Sequence, residues 1–145
     1  VEMLTLAAAT GRPVTATLHP GEHYDAADIQ ALENLAARHP NLTIGGNTAT
    51  LLRDCAFVVT QNSAVAFDGY LLGKPAVLFA QIDFHHIGLN VADLGTERAL
   101  ALAETRQPEF AAYLYWFLQQ QSVNASRPDA GEQILAQMRR GGWPI

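Results

Sequence analysis

Apolar positions fall into short runs separated by polar turns, and the clearest series spans Phe57 to Phe79. Phe57, Val58 and Val59 form a β-prone run suited to a strand buried on both faces. Thr60 to Ser63 are polar, so a helix is expected to begin there with Asn62 or Ser63 as its N-cap. Gly73 can end that helix in the left-handed conformation, and Pro75 blocks its continuation. A second apolar run, Ala76 to Ala80, follows at once. Strand, helix and strand in this order predict a right-handed crossover within a parallel sheet.

The same reading extends on both sides. Met3 to Ala9 reads as the end of a helix, broken by Gly11-Arg12-Pro13, and Val14 to Leu18 alternates like a strand finishing at His19-Pro20. Tyr24 or Asp25 can start the next helix, in which Ile29, Leu32, Leu35 and Ala36 recur at helical spacing until His39-Pro40. Leu42-Thr43-Ile44 reads as a short strand closed by Gly45-Gly46. Asn47 or Thr48 then caps a short helix through Leu51, Leu52 and Asp54. The alternation predicts an α/β fold with a doubly wound, Rossmann-like parallel sheet in three layers. Beyond Ala80 the pattern loosens. Residues 81–88 read as a loop at the carboxyl end of a strand, and Leu100 to Ala103 as another short strand. Pro108 opens a helix whose Phe110, Tyr113, Leu114, Phe117 and Leu118 mark a core face. Pro128-Asp129 starts a last helix with Ile134, Leu135 and Met138 expected inward, stopped by Gly141-Gly142.

Length and composition narrow the class. A chain of 145 residues suits one domain, residues 1–145, with a real core. The net charge is −5, with a single lysine, Lys74, and no basic stripe, which argues against nucleic acid as a partner. One cysteine, Cys55, rules out an internal disulfide framework and fits a reducing compartment. No signal peptide or spanning run stands out, so the expected address is cytoplasmic, with peripheral association with the inner membrane left open. Val1 is not an initiator methionine and no strand precedes the first helix, so the chain reads as a fragment of a longer, two-domain protein.

Candidate chemistry gathers at strand ends. A helix N-terminus at the carboxyl end of a parallel strand aims free N–H groups at the crevice above the sheet, where a phosphate is a natural guest. Gln61, Asn62 and Ser63 add side-chain donors there, although ordinary capping accounts for Asn62 and Ser63 equally well. His85 and His86 lie in a loop at the next strand end. On a strand adjacent histidines point apart, and no further ligand sits at metal spacing, so no metal is expected. A better role for either is a donor to an anionic ligand.

Several of these residues carry a resemblance. His19-Pro20, then Thr60-Gln61-Asn62-Ser63, then Phe67-Asp68 and Gly73-Lys74-Pro75, with the aromatic run from Tyr113 to Gln119, resemble the carboxyl-terminal half of a GT-B glycosyltransferase. More narrowly, the pattern is similar to the bacterial capsule polysaccharide synthesis proteins, the Kdo transferases and their relatives. The likeness spans roughly residues 13–140.

The resemblance implies a nucleotide-sugar donor, CMP-Kdo or similar, with no cofactor. His19 would contact the nucleotide phosphate or ribose, and Pro20 would fix the turn. Asn62 and Ser63 would hold phosphate oxygens beside Gln61, Asp68 would serve as the ribose-binding acid, and His85 or His86 could touch the donor. The chain departs from the family in carrying Asp68 where Glu is usual and Leu18 where a basic residue often precedes His-Pro. The catalytic base, and the site for a glycan or glycolipid acceptor, would lie on the absent amino-terminal half, leaving this chain inactive alone. A nucleotide-sugar epimerase of the same architecture, or a non-catalytic nucleotide- or sugar-binding module, stays open beside the transferase.

Overall fold

Helices and parallel strands alternate along the chain in a computed structural model that describes residues 2–19 and 21–145. The chain divides into two compact units, residues 1–108 and 109–145.

The first unit opens with α1 (Glu2–Ala8), β1 (Val14–Ala16), α2 (Ala26–Arg38) and β2 (Leu42–Ile44). Asp25 starts α2 through a reciprocal box: its carboxylate accepts the Asp28 N–H at 2.8 Å, and the Asp28 carboxylate accepts the Asp25 N–H at 3.2 Å. Two orphan donors of the helix end are thereby satisfied. β1 and β2 pair in parallel, with Val14 opposite Leu42. Ala8, Leu35 and Leu42 form the core beneath them, with Leu4, Val14, Ala16 and Ile44 packed around it. Asn41 ties the layers together by donating to the carbonyls of Ala8 at 2.9 Å and Arg12 at 2.6 Å.

A second sheet follows. α3 (Thr48–Asp54), capped by Asn47 through the Thr50 N–H, leads into β3 (Val58–Thr60), α4 (Val65–Leu71) and β4 (Ala76–Leu78). Then come a 3₁₀ turn (His85–Ile87), β5 (Leu89–Asn90), α5 (Val91–Leu94) and α6 (Thr96–Leu102). The strands run parallel in the order β3-β4-β5, with Val59 opposite Val77 and Val77 opposite Leu89. Period-2 alternation places those three residues on one face, and there they pack with Ala99, Leu100 and Ala103 at α6. Val58 and Leu78 point the other way, toward α4. There Gly69 comes so near that a Cβ would stand 3.1 Å from Val58 Cγ2. Gly73, at φ +71°, ends α4 as its position after Leu72 predicts. Among the described residues the architecture is α/β, with one two-stranded and one three-stranded parallel sheet.

One expectation changes in this unit. Leu100 to Ala103 belong to the end of α6 and the residue after it, not to a strand. Ala99, Leu100 and Ala103 are buried at helical spacing, and the alanines there favour a helix. The head of α4 is also settled between the two expected caps: the helix runs from Val65 with Ala64 on its flank, Ser63 Oγ accepts the Val65 N–H at 3.3 Å, and Asn62 caps nothing among the described residues.

The second unit holds α7 (Phe110–Tyr115), which runs on into a π-helical stretch (Trp116–Gln121), and α8 (Ala130–Arg140). Tyr113 stacks with Phe117 at a centroid distance of 6.0 Å. The expected core face of α7 is only half-buried, and Leu118 is exposed. Ile134 and Leu135, expected inward, are 46% and 44% exposed. Met138 is half-buried as expected, and Gln133 and Gln137 share its side of α8, with Gln137 Nε2 donating to the Gln120 carbonyl at 3.4 Å. Among the described residues, no helix is long and apolar enough to cross a membrane.

Candidate functional site

The polar residues singled out in the sequence follow the carboxyl ends of strands. Gln61, Asn62 and Ser63 leave β3, and Gln81 to Gly88 leave β4. The two connections run side by side, because the Phe79 N–H donates to the Thr60 carbonyl at 3.0 Å and the Ala80 N–H to the Gln61 carbonyl at 2.9 Å. Asn90, at the end of β5, joins the same edge by donating from Nδ2 to the His85 carbonyl at 3.1 Å. Parallel strands thus bring Gln61, Asn62, Ser63, His85 and His86 to one edge of one sheet.

Ser63 is half-buried and locally engaged. Its N–H donates to Thr60 Oγ1 at 3.3 Å, and its Oγ accepts the Val65 N–H at 3.3 Å. The hydroxyl proton remains available to a ligand. Gln61 and Asn62 are exposed, and neither side chain makes a hydrogen bond among the described residues. α4 is only seven residues long, so its dipole is short and side chains must supply much of any anion affinity.

Asp68 lies one turn into α4 and is exposed. Ala66, Gly69 and Tyr70 form the buried stripe of that helix, and helical spacing sets Asp68 on the opposite side. Its carboxylate forms no ion pair with Lys74 or any other cation among the described residues.

His19 stands apart from this group in the hydrogen-bonding pattern. It follows β1 of the two-stranded sheet by three residues, since that strand ends at Ala16 and not at Leu18. No hydrogen bond joins it to Ser63 among the described residues. Pro20 lies outside the described residues. The exposed His19 ring is held locally: the Gly21 N–H donates to Nδ1 at 3.1 Å, while the His19 N–H donates to Tyr24 Oη at 3.0 Å. An imidazole nitrogen that accepts carries no proton, so the neutral ring bears its proton on Nε2 and presents a donor.

His85 is set the other way. Its Nδ1 lies 2.5 Å from the Ile82 carbonyl oxygen, which can only accept, so the proton sits on Nδ1. The neutral ring therefore presents Nε2 as an acceptor. His86 stacks on it at a centroid distance of 4.3 Å with the ring planes 26° apart. These two rings line a hollow after β4 together with Gln81, Ile82 and Asp83. Among the described residues, no three side chains of His, Cys, Asp or Glu come together as a metal site.

The structure adds residues that the sequence reading passed over. Gly21 and Tyr24 hold His19, and the Ile82 carbonyl and Asn90 hold the His85 turn. Asn90 is buried, and its Oδ1 has no hydrogen-bond partner among the described residues. A strand of two residues carries too little periodicity to draw attention to Asn90. Gly21, beside His19-Pro20, was the more legible signal. Comparison with family models, curated proteins and solved structures gives no match.

Proposed function

We propose that this chain is the nucleotide-binding half of a GT-B-type glycosyltransferase of bacterial surface polysaccharide synthesis, taking a nucleotide-activated sugar, with CMP the preferred carrier. In this reading β1 lies against β3, so the two sheets join in the order 2-1-3-4-5. That is a doubly wound order whose direction of travel reverses between β1 and β3, and ligands of such sheets bind in the crevice at that reversal. The packing of α4 on one face of β3-β4 and α6 on the other agrees with a three-layer fold.

One observation carries the proposal. The residues that follow β1 and β3, the strands flanking the reversal, present hydrogen-bond donors: His19 through Nε2–H, Ser63 through its hydroxyl, and Gln61 and Asn62 through their amides. Donors without acceptor partners suit the oxygens of a phosphate. The phosphate of the leaving nucleotide gains charge as the glycosidic bond breaks, and fixed donors stabilise that charge. The acceptor and the base that deprotonates it belong, in this reading, to the amino-terminal half.

The test is a mutant cycle on CMP binding. His19→Ala and Ser63→Ala should each weaken CMP by about tenfold or more, the range for a hydrogen bond to a charged group. The double variant should lose less than the sum if both grip one phosphate. Unchanged CMP affinity in both single variants, with the fold intact, would remove the phosphate site.

A further inference from the structure

Donors and acceptors are sorted along the carboxyl edge, and the hollow after β4 is the acceptor end. His85 is fixed there by three contacts. The Ile82 carbonyl accepts both its Nδ1–H at 2.5 Å and its backbone N–H at 2.8 Å, while Asn90 Nδ2 donates to its carbonyl at 3.1 Å. The neutral ring consequently offers a lone pair at Nε2, which makes no hydrogen bond among the described residues. Asp83, in the same hollow, is exposed, and its carboxylate makes no hydrogen bond or ion pair among the described residues. An ionised carboxylate is an acceptor only. Gln81 adds an amide that can accept or donate, and Ile82 supplies an apolar patch between the polar groups.

This chemistry is wrong for an anion. A phosphate or carboxylate brings acceptors and negative charge to a hollow that already holds both. A neutral polyol brings hydroxyl donors for Nε2 and Asp83, and C–H groups to lie on Ile82.

We propose that the hollow lined by Gln81, Ile82, Asp83, His85 and His86 is a subsite for a neutral sugar ring, with His85 Nε2 and the Asp83 carboxylate accepting its hydroxyls. Its place as the sugar end of a nucleotide-sugar donor rests on the transferase reading; the preference for a neutral sugar rests on the hollow alone. It turns the role expected of His85 from donor to acceptor. It also moves the transferred sugar away from carboxylated sugars of the Kdo kind.

The experiment titrates the intact, isotopically labelled chain with glucose, galactose and glucuronate, reading backbone amides and imidazole nitrogens by NMR. Both neutral hexoses should move the amides of Gln81 to His86 and the Nε2 signal of His85, with glucuronate at least about threefold weaker. His85→Phe should lower hexose affinity by about three- to tenfold, the range for one neutral hydrogen bond. Silence at Gln81 to His86 with both hexoses through the millimolar range overturns the subsite. Glucuronate binding as tightly as the hexoses overturns its preference, and unchanged affinity in His85→Phe overturns the role of that ring. CMP added to the same sample separates the two proposals, since it reports at His19 and Ser63. A hexose response with silent CMP removes the transferase reading and keeps the subsite; the converse removes the subsite alone.

Discussion

The amide N–H of Gly21 donates to Nδ1 of His19 at 3.1 Å, which fixes the neutral ring as an Nε2–H donor. The same glycine makes room for the ring, because a Cβ on Gly21 would stand 3.1 Å from His19 Cε1 and 3.4 Å from Nδ1. Gly21→Ala should displace the ring and loosen its tautomer with little change in Tm, since both residues are exposed. Imidazole ¹⁵N shifts should show mixed tautomers. CMP affinity should fall by about three- to tenfold, the range for one weakened hydrogen bond. A retained Nε2–H tautomer with unchanged affinity would show that Gly21 does not set the ring.

Ser63 separates local structure from ligand binding. Its Oγ accepts the Val65 N–H at the head of α4, so Ser63→Ala should cost about 0.5–1 kcal/mol, the lower range for losing a capping acceptor. Thermal unfolding measures that term and CMP titration measures the other. Lost stability with intact binding returns the residue to a purely structural role.

Gly69 tests how α4 seats on the sheet. A Cβ there meets Val58 Cγ2 at 3.1 Å, and overpacking of this kind costs about 1–3 kcal/mol. Alanine recovers up to about 1 kcal/mol through helix propensity. The net effect of Gly69→Ala should be a loss of about 1 kcal/mol in denaturant unfolding. Val58→Ala removes the clashing methyls, so the pair should be non-additive, with the double variant more stable than the sum implies. Strict additivity would place the helix farther from β3.

Cys55 gives a pH-dependent check on the first unit. Burial pushes its thiol above the ordinary 9.0, opposed by the nearby charge of Lys74. Because the folded state holds this proton more tightly, the associated stability is present below 9.0 and is lost as pH rises through the folded value. Alkylation by iodoacetamide should be slow at neutral pH, since the thiolate is the nucleophile. Lys74→Ala should slow it further, because a lowering influence is removed. Faster alkylation in that variant would contradict the assignment of cause.

Local signals made much of the fold readable. Leu42 to Ile44 emerges as a strand with the expected bounds, Asp25 caps its helix, and Gly73 takes a positive φ. Each depends on chemistry within a few residues. The alternating Ala-Leu-Ala-Leu-Ala of residues 99–103 looked like a strand, but tertiary burial of Ala99, Leu100 and Ala103 selects the helix. Ile134 and Leu135 have the pattern of a core stripe, yet α8 half-buries Gln133, Gln137 and Met138 instead, and the Gln137 contact with Gln120 is one that no spacing reveals.

The site follows the same division. Thr60 to Ser63 stood out because a polar tetrad after an apolar run marks a strand end. The opposed settings of His19 and His85 did not, because each depends on one backbone group, the Gly21 N–H or the Ile82 carbonyl, brought beside a ring nitrogen by the turn. Sequence named both histidines, and the folded chain determines what each can offer.

The central claim is that the carboxyl ends of β1 and β3 share one nucleotide phosphate. A ¹H–¹⁵N titration of the intact chain with CMP tests it most directly, with cytidine, which lacks the phosphate, as the comparison. The account predicts saturable shifts in the millimolar range at Gly21 and His19 together with Gln61 to Ser63, following one binding curve, and none of these with cytidine. Shifts confined to one of the two segments, separate curves for each, or an equal response to cytidine would contradict it.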